Sequence, residues 1–113
     1  MKTLDIDLIK KYSHEDKEFL KDILTIFIEE ISSFIQQIPH LSSTENWPEI
    51  FYLTERLSDI SAYCGTERID HFARAAYQAL KANNFVETKN HLNNLVKEME
   101  ISLQAAKKLK EAA

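Results

Sequence analysis

The chain has 113 residues, a formal net charge of -4, 44% hydrophobic and 28% charged residues, and only one Gly, two Pro and one Cys. That length suits one domain spanning residues 1–113, with roughly two-thirds of the unfolded surface buried, and the composition falls in the ordinary globular range, away from disordered classes. Acidic and basic residues are interspersed, which leaves no footprint for nucleic acid or an anionic membrane, and a lone cysteine excludes an internal disulfide and points to a reducing, cytoplasmic setting.

In chain order, Leu4 to Tyr12 form a short amphipathic opening segment, and Ser13 with Asp16 approximates a capping box for the next helix. From Leu20, the residues Leu24, Phe27, Ile31, Phe34 and Ile38 recur at steps of four and three, the mark of one buried helical stripe, which Pro39 is predicted to end. The most apolar stretch, Ile23 to Ile28, is short and flanked by charge, so neither a signal peptide nor a membrane span is predicted. His40 to Glu45 read as a polar connection, with Asn46 as N-cap and Pro48 in the first turn of a third helix.

That third helix carries Ile50, Leu53, Leu57, Ile60 and Cys64 on one side, and Gly65 supplies a left-handed C-cap. A fourth helix, Thr66 to about Ala82, turns Ile69, Phe72, Ala76 and Leu80 inward, and Asn83 and Asn84 break it. Asn84 with Glu87 starts the last helix, whose stripe is Leu92, Leu95, Met99, Ala106 and Leu109. The predicted fold class is all-α, an antiparallel up-down four-helix bundle with a short extra N-terminal helix.

Projection at about 100° per residue places Glu55 opposite the third helix's apolar stripe, facing solvent. Phe51, Tyr52, Ser58, Asp59 and Ala62 share that surface, which suits a protein-docking patch because exposed aromatics dominate interface energies. Whether Phe51 or Tyr52 instead folds onto the neighbouring helix stays open at this point.

Other chemistry-bearing residues are sparse. His71 falls opposite the stripe of its helix, and His14, His40 and His91 read as surface residues. The i,i+4 pairs Glu55/Asp59, Glu67/His71 and Glu87/His91 offer two ligands each, too few for a metal site. Cys64 belongs to a buried stripe. No Ser/His/Asp order, Gly-rich phosphate loop or zinc spacing is present, so the chain is read as a non-enzyme with no cofactor and no small-molecule substrate.

Several runs resemble the histidine-containing phosphotransfer (HPt) domain of two-component signalling. They are Leu4-Asp5-Ile6-Asp7-Leu8-Ile9, Phe19-Leu20 to Phe27, Asn46-Trp47, and Leu57 followed by Tyr63-Cys64-Gly65-Thr66-Glu67-Arg68-Ile69. Members carry His, any residue, Leu, Lys, Gly, and a second Gly ten positions after the His. Anchoring that second glycine on Gly65 puts the acceptor position at Glu55; the Leu matches Leu57, the Lys falls on Ser58 and the first Gly on Asp59.

The resemblance implies an HPt-like bundle whose partner is a response-regulator receiver domain or a histidine kinase. With Glu55 in place of the histidine, it further implies a docking, competitor or scaffold module that carries no phosphate. An active relay protein using His71 and a helical adaptor unrelated to phosphorelay are the alternatives.

Overall fold

Residues 1–113 are all described by a computed structural model containing five helices and no strand. These are α1 (Ile6–Tyr12), α2 (Lys17–Ser43), α3 (Trp47–Cys64), α4 (Glu67–Lys81) and α5 (Phe85–Ala112). The four long helices touch in a closed ring, each packing on its two sequence neighbours, with α5 returning to α2. Short connections between them force neighbouring helices to run antiparallel.

Helix length sets the shape. At 1.5 Å per residue, α2 and α5 run about 40 Å and α3 and α4 only about 25 Å, against a long axis of 44 Å. The shorter pair leaves the start of α2 uncovered. Helix α1 packs on α2 and α3 at that end and sinks Ile9 completely into the core. The inward residues form one apolar cluster that includes Phe27, Ile31, Ile50, Leu57, Ile69, Leu95 and Met99.

Helix starts are set by side chains that occupy orphan N–H groups. Asp5 accepts from Leu8 N at 3.1 Å and Asp16 from Glu18 N at 2.9 Å, while Asn84 accepts from Glu87 N at 3.2 Å. Ser13 does not cap α2: it is buried as the C-cap of α1, where its hydroxyl donates to Lys10 O. The carboxylate of Asp16 takes the α2 cap because it can accept from two N–H groups at once.

Pro39 does not end α2, which continues to Ser43. Proline removes one N–H donor and crowds the carbonyl of Ile35, but the turn beyond is held by Leu41 packing on the core and by Ser43 and Thr44 hydroxyls donating to His40 O. In α4 the fully buried residue beside Ile69 is Ala73, whereas Phe72 is half-buried.

Gly65 ends α3 with φ +61°, and a Cβ there would run into the Cβ of Asp5. The residue is needed twice, for its left-handed backbone and for the close approach of the N-terminal segment. That segment crosses three helices: Asp5 N donates to Cys64 O, Lys2 N to Glu67 Oε2, and Ser102 Oγ to Thr3 O.

Candidate functional site

Glu55 lies midway along α3 and is exposed, together with Tyr52, Asp59 and Ala62, while Ser58 is half-buried. The phase of α3 explains this, because Leu53, Leu57, Ile60 and Cys64 are buried on the opposite side. The two neighbouring aromatics part company. Phe51 stacks on Tyr77 of α4 with ring centroids 4.4 Å apart, whereas Tyr52 stays 52% exposed.

Two hollows flank this crest. On the α4 side a cleft of about 360 Å³ is lined by Thr54, Glu55, Ser58, Asp59, Arg74, Tyr77 and Gln78. Arg74 Nε donates to Asp70 Oδ2 at 2.8 Å, which turns this cation toward its own helix. On the α2 side a smaller groove of about 160 Å³ runs between Glu30, Phe34, Gln37, Glu49, Tyr52 and Arg56.

The groove is held by Arg56, whose guanidinium carbon lies 5.7 Å from the Phe34 ring centroid and 6.0 Å from that of Tyr52. Cations settle over aromatic faces because the ring quadrupole is negative there. One Arg56 nitrogen reaches Glu30 Oε1 at 4.0 Å, and Glu30 Oε2 is sealed from water with no hydrogen-bond donor. Burial, then the nearby Glu30 charge, pushes the Tyr63 phenol up to about 12 and the Cys64 thiol likewise to about 12. Cys64 is fully buried and serves as a core residue.

No cation pairs with Glu55 or Asp59. His71 is exposed on α4, its ring edge against Phe72, and lines neither hollow. His14 sits in a left-handed turn, His40 in the last turn of α2, and His91 lies 3.7 Å from Glu87. No group of three His, Cys, Asp or Glu side chains is placed to hold a metal ion. No helix is long and apolar enough to cross a membrane.

Sequence reasoning located the α3 crest but not its flanks. Arg74, Tyr77 and Gln78 on α4, and Glu30 and Phe34 on α2, join Glu55 and Tyr52 only through the packing of helices far apart in the chain. Arg56 is adjacent to Glu55 yet turns to the other side, since successive helical residues diverge by about 100°.

No family model, curated protein or solved structure matches the chain. The site therefore stands on its geometry: an exposed carboxylate crest with one exposed aromatic, between two hollows on an all-helical scaffold.

Proposed function

We propose that this chain is an HPt-like docking module of two-component signalling that binds a response-regulator receiver or a histidine kinase and carries no phosphate itself. The observation that carries the reading is Glu55, exposed at the middle of α3, ten residues before the left-handed Gly65, where the family places its acceptor histidine.

The chemistry at that position favours binding over transfer. Neutral imidazole is a good nucleophile near pH 7, and its phosphoramidate is readily passed on. A carboxylate would have to form an acyl phosphate, whose developing charge needs cations. Here Asp59 stands one turn from Glu55, and Arg74 is engaged by Asp70. Tyr52, although it also faces Arg56, stays exposed enough to anchor a partner.

The test is to incubate the chain with phosphorylated receiver domains and to score both acid-labile and acid-stable label. The wild-type chain is expected to bind a receiver or kinase and to acquire neither label. Replacing Glu55→His, Ser58→Lys and Asp59→Gly together is expected to create an acid-labile label at position 55. Stable phosphate on wild-type Glu55 or on His71 would overturn the reading.

A further inference from the structure

The turn from α1 to α2 is made against the preference of its residues. His14 and Glu15 both sit in the left-handed region, at φ 53° and 60°, where a side chain crowds its own backbone. The turns at Glu45 and Asn83 use a single such residue each. Nor does the sequence demand a break here, since no Gly or Pro stands before Pro39. Ile9 and Leu20 lie 11 positions apart, about three full turns, so a helix running unbroken from α1 into α2 would keep both on one face.

What holds residues 1–12 in place comes from elsewhere in the fold. Ile9 is sealed in the core where α1 packs on α2 and α3. Asp5 N donates to Cys64 O and Lys2 N to Glu67 Oε2, while Lys2 O accepts from Arg68 N and Thr3 O from Ser102 Oγ. Gly65 leaves the space that Asp5 fills. None of these contacts needs the covalent link to α2 in the same chain, and the same segment of a second copy would satisfy every one.

We infer that two copies of this chain exchange residues 1–12, each α1 running on into its own α2 as one helix and seating on the α2 and α3 of the second copy. Ser13 to Asp16 form the hinge. The contacts are those of the monomer made between copies, and the gain is release of the left-handed backbone at both hinges. Asp16 gives up its cap, and the N–H groups it held pass into the continuous helix. Because the monomer closes its turn within one chain, the dimer gains only as protein concentration rises. The exchanged segment includes no residue of the α3 crest, so the docking reading stands or falls separately.

The wild-type chain and the double variants His14→Gly/Glu15→Gly and His14→Ala/Glu15→Ala are unfolded in urea, refolded at low and at high protein concentration, and sized by gel filtration with light scattering. Both positions are exposed, so circular dichroism should show that all three fold. Wild type is expected to yield a dimer at high concentration that survives dilution, because exchanged segments separate only when the chains open, and that returns to monomer after unfolding and refolding at low concentration.

Glycine accepts the left-handed turn and resists helix, so the glycine variant's dimer fraction should fall at least roughly tenfold, while alanine should raise it. A dimer that dissociates on dilution is a contact between intact faces and overturns the exchange. A dimer fraction unmoved by either variant overturns the hinge and the inference with it, as does a chain that stays monomeric at every concentration in both wild type and the alanine variant.

Discussion

Glu98 occupies the core side of α5, beside Met99 and between Leu95 and Ser102, with only 10% of its side chain exposed. Arg68 grips it with two charge-assisted bonds, Nε to Oε2 at 2.8 Å and Nη2 to Oε1 at 2.9 Å. Those bonds hold the Glu98 carboxyl below the usual carboxylate range, against the opposing effect of burial. A depressed folded value means that the pair's stabilisation is fully present above the unfolded carboxylate value of about 4.3 and is lost as pH falls through the folded value. Arg68 is 39% exposed, so solvent screening weakens the pair and its loss is read as a modest stability deficit. Urea unfolding of Glu98→Gln should show that deficit at pH 7, and the deficit should vanish in acid as wild type loses its advantage. A deficit independent of pH would mean that Glu98 acts by shape alone. Neither residue announced itself in the sequence, since the partners are 30 positions apart and each reads as a surface charge. Glu55 was legible because helical phase alone exposes it; Phe51 was not, because a ring at the edge of the stripe goes wherever Tyr77 happens to lie.

Among the elements, the five helices and their buried stripes follow from apolar spacing, and every residue of the α2 stripe from Leu20 to Ile38 is buried. Helix ends were less legible. Three C-termini close with a left-handed residue that is not glycine, His14, Glu45 and Asn83, and in each the following N–H reaches back five residues to a carbonyl. With a single glycine in the chain, the usual marker of such an end is absent at these three, and only Asn83 is legible as a break, because asparagine tolerates the left-handed backbone. Pro39 misled for the opposite reason: it is a strong helix breaker whose cost is outweighed by the packing of Leu41 two residues beyond. An interior helix proline costs about 3 kcal/mol, offset in part by about 0.4–1 kcal/mol from a stiffer unfolded chain. Pro39 lies near the helix end and is exposed, so Pro39→Ala should stabilise the protein by about 1–2 kcal/mol, read as a higher midpoint in urea with an unchanged slope. A lower midpoint would show that Pro39 stabilises the end of α2 by more than its missing N–H costs.

At the scale of the whole molecule, the N-terminal segment joins parts of the chain that the helical pattern treats separately. Residues 2, 3 and 5 bond to residues 67, 102 and 64, so the end of α3, the start of α4 and the second half of α5 are tied by one strap whose fit depends on Gly65. Cys64 sits beneath this junction with none of its surface accessible. A thiol pushed up to about 12 is thiolate in only about one molecule in ten thousand at pH 8, so alkylation in the folded state is blocked by both chemistry and access. Exposure of Cys64 requires that α1 lift away and that the α2–α3 seam part, and those contacts belong to the same apolar cluster as the rest of the core. Opening should therefore be global rather than local. Iodoacetamide labelling at increasing urea, followed by mass spectrometry, is expected to rise with the same midpoint as the loss of helical circular dichroism. Labelling that precedes the loss of helix would instead identify α1 and its strap as a separate unit that detaches first, leaving the four-helix ring and its α3 crest intact.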